Sequence, residues 1–285
     1  VDFNIVLLQK VIKDSLNEDI GTGDLTTNSI VPANAISTGY IVAKEDGVLA
    51  GLPVAYEVFR CLDPIINWQP LSKEGGSVSK GKLLAEISGK TRAILTGERV
   101  ALNFLQRMSG IATVTAKYVQ FTGDSKTRIV DTRKTTPGMR MLEKYAVRVG
   151  GGYNHRFGLY DAVLIKDNHI KYAGSIKNAV AAARQIVSHP TKIEVEVENL
   201  DQLRQALAVQ ADIIMLDNMS VELMREAANL VNGRAMLEAS GGITVDKIKA
   251  IAEIGIDVIS IGSLTHSVKA LDISLDLQET KTLLC

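Results

Sequence analysis

The chain has 285 residues, enough for one large domain or two ordinary ones with a buried core. Lys and Arg number 32 and Asp and Glu 32, so no global field draws the molecule to nucleic acid or to an anionic membrane. Aromatic residues, at 5%, are too few for an interleaved base-stacking surface, and no run of about 18 uncharged apolar residues offers a membrane span.

In the first part of the chain, Phe3, Val6, Leu7, Val11 and Ile12 recur at helical spacing over 3–16, and Gly21-Thr22-Gly23-Asp24 ends that helix. Strand-like segments follow at 39–43, 47–50 and 83–87, with a helix over 54–61 between them, which describes a mixed α/β unit. Residues 91–108 read as a helix whose apolar stripe is Ile94, Gly97, Ala101, Phe104, Leu105 and Met108, with Gly110 as its breaker.

Beyond it, strand alternates with helix. Six β-prone runs lie at 128–131, 161–166, 192–198, 212–217, 235–238 and 257–262, separated by helices over 139–149, 175–187, 200–209, 221–231 and 245–254. Such alternation means βα units and a parallel sheet. Six strands fall short of the eight of a closed barrel, so an incomplete (β/α) barrel is favoured over a doubly wound sheet. The fold class is α/β, with a mixed α/β N-terminal domain at 1–108 and the barrel at 109–272.

In a parallel sheet the chemistry gathers at the carboxyl ends of the strands. Those ends read Asp131-Thr132-Arg133-Lys134-Thr135-Thr136, Lys166-Asp167-Asn168-His169, Glu196-Val197-Glu198-Asn199, Asp217-Asn218, Glu238-Ala239-Ser240-Gly241-Gly242 and Gly262-Ser263. Any one of them is an ordinary polar loop; their convergence on one rim is what points to a site. Residues 192–198 alternate strictly, placing Ile193, Val195 and Val197 on one face and Glu194, Glu196 and Glu198 on the other. Inside a barrel such carboxylates require cations or protons, and Arg133, Lys134, Lys166 or a divalent metal could serve.

Ser240-Gly241-Gly242-Ile243-Thr244, between a strand and a helix, fits a phosphate cradle, with Gly262 and Ser263 beside it after the last strand. A plain capped turn is the competing explanation. Gly150-Gly151-Gly152-Tyr153-Asn154-His155-Arg156 is either a flexible connector or a loop that brings a bidentate arginine to an anion.

Several signals fall away. Residues 76–83 nearly fit a P-loop, but Leu83 replaces the Ser or Thr that Mg²⁺ needs and a strand follows, not a helix. No zinc-hydrolase His pair or Gly-x-Ser-x-Gly elbow exists; His169 and His266 could be structural or face a ligand. Cys61 and Cys285 cannot build a disulfide framework and are read as structural or incidental. The opening Val1-Asp2-Phe3-Asn4 lacks a signal-peptide layout, so a cytoplasmic protein is expected.

Taken in order, Glu18-Asp19-Ile20-Gly21-Thr22-Gly23-Asp24, Glu98-Arg99-Val100-Ala101-Leu102-Asn103, 132–138, 151–156, Leu164-Ile165-Lys166-Asp167-Asn168-His169, 194–198 and 239–243 closely resemble the quinolinate phosphoribosyltransferases over nearly the whole chain. The resemblance implies condensation of quinolinate with phosphoribosyl pyrophosphate, with Mg²⁺, to nicotinate mononucleotide, pyrophosphate and CO2 in NAD synthesis. It also implies that the tail, 273–285, packs back on the first domain.

By the same resemblance, Thr132, Arg133, His155, Arg156 and Lys166 bind quinolinate, and Lys134 lies between the two substrates as a catalytic group. Glu196 and Asp217 stand near the ribose and Mg²⁺, directly or through water, and Ser240, Gly241, Gly242, Gly262 and Ser263 hold the 5-phosphate. Arg99 reaches a neighbouring subunit's site, so at least a homodimer is implied; on its helix Arg99 lies off the apolar stripe, where a solvated arginine would also sit. Alternatives are a paralogous transferase for another pyridine-type acceptor and, from another class, a lipoyl- or biotinyl-like carrier suggested by 75–83, which lacks the lysine-presenting turn.

Overall fold

The structure is a computed structural model and describes residues 3–278. In chain order the elements are α1 (Ile5–Ile20), α2 (Leu25–Ile30), β1 (Ile36–Ala43), β2 (Gly47–Val48), α3 (Leu52–Leu62), β3 (Asn67–Pro70), β4 (Ser77–Val78), β5 (Leu83–Lys90), α4 (Thr91–Gln120), β6 (Arg128–Val130), α5 (Arg140–Val149) and β7 (Val163–Ile165). They continue with α6 (Asp167–Ala173), α7 (Ile176–Ile186), β8 (Ile193–Val197), α8 (Leu200–Ala208), β9 (Ile213–Asp217), α9 (Val221–Val231), β10 (Met236–Ser240), α10 (Val245–Ile254), β11 (Val258–Ser260), α11 (Ser263–His266) and β12 (Ile273–Leu277). No helix among the described residues is long and apolar enough to cross a membrane.

Two compact units emerge. One gathers Val1–Val114, Thr136–Gly151 and Ser267–Cys285; the other holds Thr115–Thr135 and Gly152–His266. This division differs from a single cut at 108/109, which would fall inside α4.

The first unit is built on an antiparallel sheet of order β12-β1-β5-β3. Its core is supplied by Ile41 and Ala43 of β1, Leu84 and Ile87 of β5, Val54, Val58 and Phe59 of α3, and Ile94, Leu105 and Met108 of α4. β12 pairs antiparallel with β1, from Gly39↔Leu277 to Ala43↔Ile273, and tail residues 279–285, Cys285 included, lie outside the described residues.

Helix α5 belongs here because its polar groups are anchored here. Glu143 is fully buried and takes Arg107 Nε and Nη2 at 3.1 and 2.8 Å on Oε1, while Oε2 accepts the Thr136 N–H at 3.1 Å. Tyr145 donates its hydroxyl to Glu74 Oε1 at 3.1 Å, and the same carboxylate accepts the N–H groups of Gly51 and Leu52, substituting for the side-chain cap that α3 lacks. Burial pushes the Glu74 carboxyl above its ordinary range.

Gly110 does not break α4. It lies in mid-helix because a Cβ there would stand 2.3 Å from the carbonyl oxygen of Lys269, so only glycine lets that strap of backbone pass. Similarly, a Cβ on Gly97 would meet Phe59 and Leu62 at 3.0 Å.

The second unit carries six parallel strands in the order β6-β11-β10-β9-β8-β7. Helices α7, α8, α9 and α10 pack in succession. The strands do not close on themselves: β6 and β7 stand at the two edges, so the barrel is incomplete. Beside β6, the backbone of Tyr153 donates to Ile129 O at 2.8 Å and accepts from Asp131 N at 3.2 Å.

The strand expected at 161–166 is only Val163–Ile165, because Asp161 turns to accept the N–H groups of Phe157 and Gly158. The polar run after it becomes α6, capped by the ring of His169, whose Nδ1 accepts the Lys166 N–H at 2.9 Å. Gly110→Ala should cost about 2 kcal/mol or more through overpacking against an immovable carbonyl, read as a lowered midpoint in thermal or urea unfolding.

Candidate active site

Because all six strands of the second unit run parallel, their carboxyl ends share one edge. Register ties Glu196 to Met215 and Met215 to Glu238, and one step further Asp217 to Ser240. Glu194, Glu196, Met215, Asp217, Glu238 and Ser240 therefore share the sheet face opposite Val195 and Val197. The acidic face read from residues 192–198 is thus an inner face, and it is compensated: Lys166 Nζ lies 2.6 Å from Glu196 Oε2.

The cationic part is assembled by the end of β6, the start of α6 and the segment 152–156. Arg156 donates through Nη1 to Ala162 O at 2.9 Å, while its Nε–H is buried with no hydrogen-bond partner. Burial, and then the positive charge of neighbouring Arg133, hold the Arg156 guanidinium below its ordinary pKa. Two guanidiniums that repel each other over an unmet buried donor form a place where an anion is favoured.

Beneath them, His155 is gripped from three sides. Asp131, fully buried, accepts the His155 N–H at 3.0 Å and the Asn154 side-chain amide. Nδ1 accepts the Arg156 N–H at 2.7 Å, and Nε2 lies 3.2 Å from Glu194 Oε2 and 3.5 Å from Glu238 Oε1. Burial first, and then the charge of Glu194, push the Glu238 carboxyl up to about 7.

On the glycine side, Gly241 and Gly242 both take positive φ, 87° and 55°, immediately before α10, whose N-cap Thr244 makes no side-chain cap bond. A Cβ on Gly241 would fall 2.3 Å from Asn218 Oδ1, so this turn can be made only by glycine. Its backbone and the uncapped helix start leave N–H groups for an anion. The side chain of Lys134 crosses Gly262, where a Cβ would stand 2.9 Å from Lys134 Cδ and 3.2 Å from His266 Nε2. Thr265 donates to Lys134 O at 2.7 Å, and Lys134 N donates to Thr132 Oγ1 at 3.0 Å, fixing the 132–134 loop beside α11, which begins at Ser263.

Thr132, Arg133, Lys134, His155, Arg156, Lys166, Glu196, Asp217, Ser240, Gly241, Gly242, Gly262 and Ser263 all lie in the second unit, on or next to the carboxyl ends of its strands. Arg99 belongs to α4 in the first unit, its side chain 58% exposed and 4.0 Å from Glu98. Asp131, Asn218 and Glu238 at the strand ends and Glu194 on the acidic face are legible in the sequence, but no individual role for them is. A cleft of about 690 Å³ lies at the other end of the strands, lined by Lys192, Asp212, Arg234 and Met236 among others; its Lys192 and Asp212 are paired at 3.0 Å.

Residues 24–109 match the family profile of the quinolinate phosphoribosyl transferase N-terminal domain, and residues 111–276 that of its C-terminal domain. The chain belongs to the quinolinate phosphoribosyl transferase family. Among its relatives in this family is a probable nicotinate-nucleotide pyrophosphorylase (carboxylating) of Bacillus subtilis (strain 168), 50% identical over 96% of this chain and 94% of that one. The chloroplastic nicotinate-nucleotide pyrophosphorylase (carboxylating) of Arabidopsis thaliana is 42% identical over 95% and 82%. The crystal structure of NadC from Streptococcus pyogenes superposes with a TM-score of 0.93 at 46% identity, covering 98% of this chain and all of the other. The carrier-like stretch 75–83 lies within the N-terminal profile of this transferase family.

Because the Glu238 carboxyl is raised above its unfolded value, the stability it contributes is complete below about pH 4.5 and is lost as pH rises through 7. Glu238→Gln, which cannot ionise, should be more stable than wild type at pH 8 by about 1–3 kcal/mol, the difference fading towards pH 5. Denaturant titrations across pH measure it.

Proposed function

We propose that this chain transfers the phosphoribosyl group of phosphoribosyl pyrophosphate to quinolinate with decarboxylation, giving nicotinate mononucleotide, pyrophosphate and CO2 in NAD biosynthesis. The observation that carries the choice of acceptor is the Arg133 and Arg156 pair with its buried, unmet Nε–H, since quinolinate brings two adjacent carboxylates to it. Thr132 precedes Arg133 on the same loop, His155 supports Arg156 from below through its ring, and Lys166, paired with Glu196, borders the site. A monocarboxylate such as nicotinate would leave part of this charge unanswered.

The donor lies across the glycine turns. Ser240, Gly241, Gly242, Gly262 and Ser263 hold the 5-phosphate with backbone N–H and hydroxyl groups, and Lys134, lying over Gly262, stands between donor and acceptor. As pyrophosphate departs, positive charge grows at the anomeric carbon, and the fixed carboxylates of Glu196 and Asp217 stabilise it. These two hard oxygen donors on adjacent strands also suit Mg²⁺, which binds through one or two carboxylates and its ligand's phosphates. An ion held by Glu196 and Asp217 would supply neutralisation of the departing pyrophosphate's charge. Loss of CO2 then breaks the C2–carboxylate bond and leaves its electron pair on ring C2, where the adjacent positive pyridinium nitrogen stabilises it as an ylide; C2 takes a proton from solvent water, and no side chain is assigned as a dedicated proton donor. The polyanionic donor does not diffuse through membranes, which favours a cytoplasmic enzyme.

The test is turnover with quinolinate or nicotinate, each with phosphoribosyl pyrophosphate and Mg²⁺. Quinolinate-dependent release of CO2 and pyrophosphate is expected; product from nicotinate alone would reject the reading. Within it, Arg156→Ala should raise KM for quinolinate about tenfold or more while KM for phosphoribosyl pyrophosphate moves little, and equal rises for both would contradict the division of the site.

The site is completed by a second copy, in this reading a homodimer or larger, through Arg99. Inactive Arg99→Ala chains mixed with inactive Glu196→Ala chains should recover up to about a quarter of wild-type activity, since half of freely exchanged dimers then hold one intact site of two. No recovery in mixed oligomers verified by mass would remove the role of Arg99.

A further inference from the structure

Behind the acceptor side of the site lie two buried acids that the reaction outlined above does not use. Glu194 and Glu238 are 2% and 3% exposed, on β8 and β10, and reach towards each other across β9. Each has an Oε1 buried without a hydrogen-bond partner. The group they both face is the Nε2 of His155.

A metal ion shared by these three side chains would need Nε2 as a lone-pair donor. The backbone N–H of Arg156 already points into Nδ1 at 2.7 Å, so the neutral ring carries its proton on Nε2, aimed at the two carboxylates. The cluster is therefore a proton-bound one.

We propose that Glu238 is a positioning residue of the acceptor site: with Glu194 it faces the Nε2–H of His155 and fixes the ring by charge and proximity, and the ring so placed holds, through Nδ1, the backbone N–H of Arg156. The chain of contacts runs from the floor of the sheet to the guanidinium, with Asp131 clamping the His155 N–H from the other side. Glu238 acts through His155 and touches no reacting atom. The inference rests on the reading of Arg156 as a quinolinate ligand.

Charge enters as well as geometry. Facing Glu238 are Glu194 from β8, His155 from the loop, Lys166 at the head of α6 and Ser260 from β11, with apolar Met215 in the same row of β9. Burial and Glu194 hold the Glu238 carboxyl neutral up to about pH 7. Above that pH a further negative charge develops beneath a site that must accept a dianion, so KM for quinolinate should climb with pH.

The experiment compares full-length wild type, Glu238→Gln and Glu238→Leu, each verified to unfold cooperatively, in steady-state kinetics for both substrates from pH 6 to 8.5. Glu238→Gln keeps an acceptor oxygen and cannot ionise: its KM for quinolinate should stay within about threefold of wild type at pH 6.5 and lack the rise that wild type shows above pH 7. Glu238→Leu removes the acceptor and should raise KM for quinolinate about tenfold at every pH, leaving KM for phosphoribosyl pyrophosphate within about twofold. Identical pH profiles in wild type and Glu238→Gln overturn the proposal, as does a Leu variant that weakens both substrates equally or neither. If Glu238→Leu does not fold, the Gln comparison decides alone. Wild type that releases no CO2 from quinolinate would instead defeat the acceptor assignment itself.

Discussion

A sheet buried on both faces tolerates carboxylates on its inner side only where protons or cations answer them, and the second unit is organised around that requirement. Register puts four acids on this face: Asp217 at the carboxyl end of β9, and, answered within the sheet, Glu194 and Glu196 on β8 and Glu238 on β10. Each of the last three finds a different answer. Glu196, nearer the rim, takes the ammonium of Lys166; Glu194 lies 3.2 Å from the imidazole Nε2 of His155; Glu238 keeps its own proton to about pH 7. Next to these acids, burial and the charge of Arg133 hold the Arg156 guanidinium below its ordinary pKa, against the pull of Glu194 and Asp161.

How much of this could be read from the sequence depended on whether the signal was periodic or spatial. The strict alternation of residues 192–198 announced both the strand and its acidic face, and the recurrence of strand and helix announced the parallel sheet. Arg133, Lys166, Asp217 and Gly241 stood out because they follow apolar runs. Glu238 heads one of the same strand ends, but one acid in Met236-Leu237-Glu238-Ala239-Ser240 makes no pattern that gives it a role; its meaning comes from Glu194 two strands away and from His155. The role of Asp131 is likewise hidden, because nothing local says that a carboxylate at a strand end will cap the backbone of residue 155.

The elements that were missed have the same cause. Gly110 carries the local signature of a breaker, yet α4 runs on through it because residue 269 needs the space. The polar run after β7 looked like loop, but the ring of His169 satisfies the Lys166 N–H and starts α6. In both places a contact between distant or non-periodic groups outweighed propensity.

The opening in the barrel and the segment that carries His155 and Arg156 belong together. Strands β6 and β7 form the free edges, and a closed barrel would have filled the space between them with further strands. Instead the chain from 153 to 162 occupies it: the Tyr153 backbone pairs with β6, and the Arg156 guanidinium reaches Ala162 O, one residue before β7 begins. Strand pairing there would have consumed the backbone of this segment in a regular ladder and turned alternate side chains away from the rim. Because the pairing stops after a single bridge, the side chains of consecutive residues 154, 155 and 156 can each turn to a different partner, namely Asp131, the inner acids and Ala162 O. Extending the ladder past Tyr153 would therefore add backbone hydrogen bonds at the expense of the arrangement that gives Arg156 its unmet donor.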